Sequence, residues 1–384
     1  AQTLFKGQCV DGDIALAEAA LSAQCFLKLA DLGVPFPVNR FGEYIGYKTD
    51  HDPRRRATSA GPLTSKLMTE ALERSVKAKG IKIFDKFQVI SILTAGSKLY
   101  GLLCLNLNCV ENKCKRFTAF NCKNVIYATG GPAGIYADSV YPAGHYGASG
   151  IAFEAGVMGK NLTEWQYVKP RWNVSGTYMQ VLPHFISTSA DGIDEREFLA
   201  DFFDDKYEML SKVFLKGYEW PFDVRKAAEG SSIIDILVYI ECCIKGRRAF
   251  LDFRSNPLRC GIDFSMLKDE AREYLEKAGA SFGTPIERLL HMNAPAVDFY
   301  MSKGVNLAGE PLEIALCAQH NNGGLSIDKW WQTNIEGFFA AGEVSASHGV
   351  CRPGGSALNA GQVGSSRAAR FIACNRQGRP EDIE

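Results

Sequence analysis

The chain has 384 residues, of which 46% are hydrophobic, and its 43 lysine and arginine residues equal its 43 aspartate and glutamate residues in number. This composition excludes an intrinsically disordered chain, and the length predicts two domains rather than one. The balanced charge argues against nucleic acid or an anionic membrane as the main partner, and no apolar run is long enough to predict membrane insertion. Twelve cysteines without a compact disulfide framework favour a reducing cytoplasm.

The first 33 residues have the pattern of a helix. Apolar residues recur at helical spacing in DGDIALAEAALSAQCFLKLADLG, and Gly33 closes the segment. No apolar strand followed by G-x-G-x-x-G occurs near this end. Lys48–Ser59 is a polar loop whose three arginines either are solvated or meet phosphates, and Thr64–Lys79 is predicted to be an amphipathic helix.

Three strand-like runs follow, covering Ile81–Thr94, Leu99–Leu107 and Arg116–Thr129. Gly96 and the segment 111–113 mark the turns between them. The pattern predicts a three-stranded antiparallel meander that leads into a last, parallel strand.

Four cysteines of this region could be read as a metal site: Cys104, Cys109, Cys114 and Cys122. The nearest pairs are separated by four residues rather than by the two of a zinc knuckle. Buried or incidental thiols are therefore favoured, and no metal is predicted.

The character of the chain changes between about Trp165 and Pro311. Aromatic and charged residues mix, glycine motifs are missing, and helices are predicted over Ile193–Lys216 and Glu270–Ala278. The segment GRRAFLDF is typical of a strand with solvated arginines.

The most informative residues lie between Cys317 and Ile372. They read CAQHNNGGLSID and then IEGFFAAGEVSASHGVCRPGGSALNAGQVGSSRAARFI. A histidine precedes a Gly-Gly turn, an apolar strand ends at Gly342-Glu343, and an arginine-bearing glycine loop opens an amphipathic helix. Such a loop offers backbone N–H groups and a positive helix end to an electron-rich ring, a combination that suits a flavin with a polar substrate over it.

Together with NVIYATGGPAGIY (Asn124–Tyr136), this stretch resembles the fumarate reductase and succinate dehydrogenase flavoprotein family, which includes L-aspartate oxidase. The family motifs are ATGGxG, H-x-x-GGI, a Gly-Glu pair and HGxNRxGGNSL, and they occur here in the same order. The resemblance implies an α/β flavoprotein fold with two dinucleotide-binding domains and an inserted α+β capping domain. The implied domains are 1–164 and 316–384 for FAD binding, and 165–315 for the cap.

The family's N-terminal Rossmann strand-turn-helix has no counterpart here. Two explanations stay open: a preceding segment is truncated or disordered, which we favour, or tight flavin binding has been lost. In the family that element holds the FAD pyrophosphate.

The resemblance also implies site residues. Val89 would lie beside the adenine, Glu343 would accept hydrogen bonds from the ribityl hydroxyls, and His320 and Arg352 would bind a substrate carboxylate. His320 is expected to be partly protonated near neutral pH. His348 is expected to be a scaffold or flavin-side residue. Contact with the flavin is implied for the strand-ending turn and for the start of the last helix: Ala128, Thr129, Gly130, Gly131, Ser356, Ala357, Leu358 and Asn359. Ser356 could also be an ordinary N-cap, and the two roles are compatible.

The cap side departs from the family. Val168 stands where relatives have a histidine, Asp191 is at the likeliest position of their proton-shuttling arginine, and Ser149 replaces a flavin-side aspartate. Arg171 is the first candidate to replace the arginine. The other candidates are Lys169, His184, Arg247 and Arg248.

The function implied is an FAD-dependent oxidoreductase that transfers hydride between flavin N5 and a carboxylated substrate other than plain fumarate, with an electron-transfer partner. Two alternatives stay open. One is a flavin-fold binding or assembly protein, or a fragment, without catalysis. The other is an amino-acid oxidase or a sulfur-compound reductase.

Overall fold

A computed structural model describes residues 1–49, 52–142, 144–168, 176–219, 222–257 and 261–381. The helices are α1 Gln2–Phe5, α2 Gly12–Asp31, α3 Thr64–Ala78, α4 Ser149–Glu154, α5 Thr177–Gln180, α6 Lys206–Leu215, α7 Ile233–Tyr239, α8 Asp269–Lys277, α9 Pro285–Met301 and α10 Ser356–Asn375. The strands are β1 Tyr47–Thr49, β2 Asp52–Ala57, β3 Phe87–Ala95, β4 Lys98–Asn106, β5 Phe117–Asn121, β6 Val125–Tyr127, β7 Gly159–Lys160, β8 Trp165–Val168, β9 His184–Thr188, β10 Arg196–Glu197, β11 Arg248–Asp252, β12 Leu312–Ile314, β13 Cys317–Asn321, β14 Gly324–Leu325 and β15 Phe338–Ala340.

The helix predicted for the first 33 residues is two helices, α1 and α2, with residues 6–11 outside both helices. Asp11 caps α2, because its carboxylate accepts hydrogen bonds from the backbone N–H groups of Asp13 and Ile14. The buried stripe of α2 packs along α10, with Ile14 and Cys25 against Val363 and Ala368. The predicted helix after Thr64 is α3.

The predicted meander is confirmed by β3, β4 and β5, which pair antiparallel in that order. The third predicted run is two strands rather than one, since residues 122–124 separate β5 from β6. β6 pairs in parallel with β15 through Val125 and Phe338, and a core of apolar side chains including Tyr127, Ala152 and Leu325 surrounds this pair.

A second core lies in the segment between β8 and β13. Its sheet has the antiparallel order β10-β9-β11-β12, and helices α5 to α9 pack around a cluster that includes Phe198, Phe214, Leu251 and Tyr300. The predicted strand GRRAFLDF is confirmed as β11. We call this segment the cap. The cap and the remainder of the described chain form two lobes. They are joined by β8, which pairs antiparallel with β13.

The predicted helix Ile193–Lys216 was wrong over its first half. Arg196 and Glu197 pair with β9 as a short strand, and the helix begins only after Asp205, whose carboxylate accepts a hydrogen bond from the Tyr207 N–H. A capping aspartate therefore fixes the start of α6.

None of the helices in the described ranges combines the length and apolar character that crossing a membrane requires. The predicted cellular location stays a prediction.

Candidate active site

The ATGG turn and the Gly-Glu pair come together at one edge of the β6–β15 pair. Because the two strands are parallel, their carboxyl ends meet, and Ala128–Gly131 follows β6 as Ala341–Glu343 follows β15. Gly131 is in direct contact with the Glu343 carboxylate, and a Cβ at this position would overlap it. Two motifs that are more than 200 residues apart in the sequence are therefore in contact at this sheet edge.

The Glu343 carboxylate is held by protein groups. It accepts a hydrogen bond from the Tyr141 hydroxyl and another from the backbone N–H of Asn321, at 2.9 Å. Burial raises its pKa, while these two donors and the Arg352 charge oppose that rise. The Tyr141 ring packs edge to face on His145, and His145 lies against Gly130. Tyr141 and His145 therefore fill the space beside the two glycines.

The predicted substrate pair is also brought together. His320 lies on β13 opposite Gln166 of β8, and Arg352 lies in the loop before α10. The ring of His348 packs edge to face on that of His320, with centroids 5.7 Å apart. All three of these basic side chains are buried.

Their charges differ from the prediction. Burial, with repulsion from Arg352 and His348, keeps the pKa of His320 well below its ordinary value, although the Asn322 side chain opposes this. The expected partial protonation of His320 near neutral pH was therefore wrong. Burial and Arg352 lower the pKa of His348 to about 3, and burial lowers that of Arg352 to about 10. At neutral pH the cluster has one cation and two neutral imidazoles.

Several buried polar atoms of this cluster lack a hydrogen-bond partner among the described residues: Arg352 Nε, His320 Nδ1 and His348 Nε2. The Arg352 guanidinium donates a long hydrogen bond, 3.4 Å from Nη1 to the Pro353 carbonyl. Buried polar atoms in native proteins are rarely left without partners. A carboxylate is chemically suited to this set, since it offers two acceptor oxygens to a guanidinium.

The loop that contains these residues is held by the N-terminal segment. The backbone N–H groups of Val350 and Cys351 donate to the carbonyls of Gln8 and Gly7, at 3.1 and 3.0 Å. Gly349 approaches the Gln8 carbonyl so closely that a Cβ there would overlap it. We call this pairing the backbone clamp.

α10 begins with an uncapped N-terminus. Its N-cap is Gly355, whose φ of +79° is left-handed, and within the described part of the chain no side chain caps the first N–H groups. The interpretation of Ser356 as the N-cap was wrong, since its hydroxyl instead donates to the Pro353 carbonyl at 2.8 Å. The first turn of this helix keeps N–H donors for a ligand.

This helix end faces a cavity of about 1360 Å³ that lies between the two lobes. Ser356, Leu358 and Asn359 line it on one side. Residues of α2, α3 and the segments 46–49 and 55–59 line a second side, and cap residues of α5 and α8 line a third. Of the three clustered arginines, Arg55 and Arg56 line the cavity. The volume is above the roughly 300–1,000 Å³ that is usual for ligand pockets, and it is much larger than a small acid alone requires.

One ion pair crosses this cavity. Lys48 of β1 lies with its Nζ 2.5 Å from Oε1 of Glu270 on α8, and its ammonium also lies 4.6 Å from the centre of the Tyr218 ring. This contact links the cap to the opposite lobe.

Other predicted residues lie elsewhere. Val89 pairs with Cys104 inside the meander, and neither it nor Ala128–Gly131, Ala357, Glu343, His320 or Arg352 lines the cavity. Arg171 and Lys169 lie outside the described residues.

The remaining candidates for a proton-handling residue have other partners. Arg248 forms an ion pair with Glu313 at 2.8 Å, and Arg247 forms one with Asp194 at 2.8 Å. His184 is buried in the cap sheet beside Glu197, and Asp191 lies on a turn with Ser189.

These features fit a flavin ring at the start of α10. The uncapped helix end, the cavity and the unpartnered basic atoms are each compatible with an electron-rich ligand and a carboxylate.

No family model matches the chain. It is 46% identical over 77 residues to one subunit of the fumarate reductase (CoM/CoB) of Methanothermobacter marburgensis, which is 20% of this chain and 14% of that protein. It is 22% identical over 390 residues to the L-aspartate oxidase of Mesorhizobium japonicum, covering 98% of this chain and 64% of that protein. The E. coli quinol fumarate reductase FrdA structure superposes with a TM-score of 0.65 at 18% identity, over 98% of this chain and 61% of that chain.

The resemblance to the fumarate reductase and succinate dehydrogenase flavoprotein family is confirmed. The predicted fold class, an α/β flavoprotein fold with a cap, is confirmed with it. The chain covers 64% of the L-aspartate oxidase and 61% of the FrdA chain, which is less than two thirds of the length of each.

Three residues of the site had not been singled out from the sequence. Tyr141 and His145 follow the ATGG motif closely, and their position alone could have suggested them. Glu18 is buried beside Ser347 and Arg352, and its signal was a carboxylate on the apolar stripe of α2.

Proposed function

We propose that the chain acts as an FAD-dependent oxidoreductase on a polar, carboxylated substrate. The observation that carries this proposal is the arrangement at one end of α10. There an uncapped helix N-terminus faces the interlobe cavity, and a buried guanidinium with an unpartnered Nε lies in the preceding loop. The names of the relatives, fumarate reductase and L-aspartate oxidase, support redox chemistry on carboxylic acids.

FAD, when bound, would supply hydride transfer at N5. The first-turn N–H groups of α10 would hold the electron-rich end of the ring, and the helix dipole would favour negative charge there. Arg352 would bind the substrate carboxylate with two parallel hydrogen bonds. His320 would act as a neutral hydrogen-bonding group that orients the same carboxylate.

The cap would exclude water from the cavity, with the ion pair of Lys48 and Glu270 across it. We propose the division into FAD-binding segments 1–164 and 316–384 and a cap of 165–315. β8 lies within the proposed cap, whereas its partner strand β13 lies after residue 315. One strand pair therefore joins the cap to the FAD-binding segments.

Plain fumarate or succinate is not the substrate that we propose. Asp191 stands where the relatives' proton-shuttling arginine is expected, and in the structure it lies on an exposed turn with Ser189. Arg171 remains the proposed replacement. An electron-transfer partner is part of the same proposal.

The proposal is tested by adding FAD to the purified protein and measuring binding by quenching of flavin fluorescence. Leu358→Pro removes one N–H donor from the first turn of α10, where the N–H groups have no partner within the helix, and Leu358→Ala keeps that donor. We expect the proline variant to bind FAD about 10-fold more weakly than the alanine variant, the value of one hydrogen bond. Reduction of bound flavin by L-aspartate, other amino acids and sulfite then separates the oxidase and sulfur-compound alternatives.

A protein that leaves flavin fluorescence unquenched at high FAD concentration would contradict the proposal and support the non-catalytic alternative. Equal FAD affinities for the two Leu358 variants would show that the end of α10 does not hold the flavin.

A further inference from the structure

The structure contains a buried acid that the proposed function does not use. Glu18 lies on α2 between Ile14 and Cys25, on the apolar stripe that packs against α10, and its side chain is fully buried. Neither carboxylate oxygen has a hydrogen-bond partner among the described residues. An ionised carboxylate in such a place is unfavourable unless a nearby charge compensates for it.

The polar surroundings of Glu18 belong to the Arg352 loop. The Ser347 side chain acts on the Glu18 carboxyl, although no hydrogen bond of normal geometry joins the two, and the Ser347 hydroxyl lies 3.3 Å from His348 Nδ1. Arg352 attracts the Glu18 carboxylate. The other acidic groups that interact with Arg352 are Glu343 and Tyr141.

Burial is the largest influence on this acid. It raises the pKa of Glu18 to about 8, against the opposing effects of Ser347 and Arg352. At neutral pH the carboxyl is therefore mostly protonated, and above about pH 8 it becomes a counter-ion for the guanidinium.

We propose that Glu18 is a positioning residue for Arg352 that takes up a proton when an anion binds to the guanidinium. A bound carboxylate and an ionised Glu18 would compete for one positive charge inside a low-dielectric cluster. Binding of the anion therefore favours the protonated form of Glu18, and the proton comes from solvent. By linkage, the affinity of Arg352 for an anion falls as Glu18 ionises. This proposal rests on the proposed carboxylate site.

Three of the neighbouring groups do not titrate between pH 7 and pH 9. His320 and His348 stay neutral there, because burial holds the pKa of each below the ordinary value. The pKa of Tyr141 is raised above its ordinary value, mainly by burial. Glu343 is the remaining carboxyl beside Arg352, and it requires its own variant.

The experiment measures succinate binding, used as a dicarboxylate probe, by calorimetry at several pH values in buffers of different ionisation enthalpy. We expect the native protein to take up close to one proton per succinate at pH 9, with affinity falling up to tenfold per pH unit above about pH 8. Glu18→Gln, which has the shape of the protonated acid, should bind without this uptake. Asp31→Asn, at the exposed end of the same helix, should behave like the native protein.

Proton uptake on succinate binding that persists in Glu18→Gln would overturn the proposal. Uptake that disappears only in Glu343→Gln would overturn it as well, because the proton would then belong to the other carboxyl. Glu18→Leu serves as a second variant if the glutamine variant is poorly folded.

If succinate does not bind at all, the carboxylate site itself is rejected, and the role of Glu18 is decided by infrared titration. We expect a protonated carboxyl band near pH 7 that is missing in Glu18→Gln, and a midpoint that moves upward in Arg352→Met. A midpoint that Arg352→Met leaves unchanged would overturn the proposal independently of any ligand.

Discussion

The imidazole rings of His320 and His348 pack edge to face, with their centroids 5.7 Å apart, beside the guanidinium of Arg352. One cation and two rings thus share a buried space. Because each ring is kept neutral by burial and by that cation, the pair can orient a carboxylate but adds no positive charge to it.

This neutrality predicts how acid affects stability. The pKa of His348 is about 3 in the folded protein, below the ordinary value near 6.5, so the unfolded chain binds more protons between these pH values. Stability should therefore fall as pH decreases from 6.5 toward 3. His348→Gln should reduce the loss between pH 6.5 and pH 4 by up to about 3 kcal/mol, since each pH unit contributes about 1.4 kcal/mol. Urea unfolding of the native protein and of His348→Gln at pH 6.5 and pH 4 measures this loss of stability. Equal losses in the two proteins would contradict the prediction.

Glu18 predicts a dependence of the opposite sign. Its pKa of about 8 lies above the value of an unfolded glutamate, so the folded protein binds more protons between pH 4.5 and pH 8. Stability from this group is present at low pH and is lost as pH rises through 8. Glu18→Gln should remove that loss, which we expect to be a few kcal/mol. The measurement is urea unfolding of both proteins at pH 5 and pH 8.5. If the native protein loses no more stability between these pH values than Glu18→Gln does, the prediction is wrong.

Arg352→Met should separate stability from binding. The guanidinium is buried with an unpartnered Nε, and Glu343 keeps its Tyr141 and Asn321 donors, so the free energy of unfolding should be unchanged or higher. Carboxylate binding should weaken about 10- to 100-fold, the value of a charged hydrogen-bonding group. Arg248→Met, which removes an exposed ion pair with Glu313, is the control and should change neither quantity by more than about 0.5 kcal/mol. Full carboxylate binding by the Arg352→Met variant would exclude Arg352 from the site.

Gly131→Ala should test the meeting of the two distant motifs. A Cβ at Gly131 would overlap the Glu343 carboxylate and the Tyr141 hydroxyl, so we expect destabilisation by about 1–3 kcal/mol. Gly150→Ala is the matched control, because Gly150 lies in α4 with open space around its Cβ position. This variant should be more stable than the native protein by up to about 1 kcal/mol. Thermal unfolding measures both variants. A neutral Gly131→Ala would show that the turn and Glu343 are further apart.

The ion pair between Lys48 and Glu270 predicts a dynamic effect rather than a large energetic one. Both side chains are 40–50% exposed, so Lys48→Met should change stability by less than about 1 kcal/mol. It should nevertheless raise hydrogen exchange in α8, because the pair crosses the cavity between the lobes. Lys277→Met breaks a pair with Glu273 inside α8 itself and is the control. Identical exchange in the native protein and Lys48→Met would show that the pair does not restrain the cap.

The sequence predicted those parts of the fold in which the signal is local. The helices α2 and α3, the meander and β11 follow from apolar periodicity and turn residues. The helix predicted from Ile193 failed because a two-residue strand forms there by pairing with β9, a long-range contact that no local pattern indicates.

The candidate site was predictable only as far as the family motifs extend. They located His320, Arg352, Gly131 and Glu343, but not the Tyr141 side chain that engages Glu343. The neutral state of His320 could not be predicted, because it depends on burial by residues distant in sequence. Glu18 was visible as a charged residue at an apolar position of α2, yet only the packing of α2 against the Arg352 loop gives it a partner.

The backbone clamp has a consequence for the order in which the protein assembles. Gly7 and Gln8 hold Cys351 and Val350 across more than three hundred residues of intervening chain. Contacts between such distant segments form slowly, because a long loop must be closed before they contribute. The arginine-bearing loop should therefore reach its native shape among the last steps of folding, after the meander and the cap have already become protected from exchange.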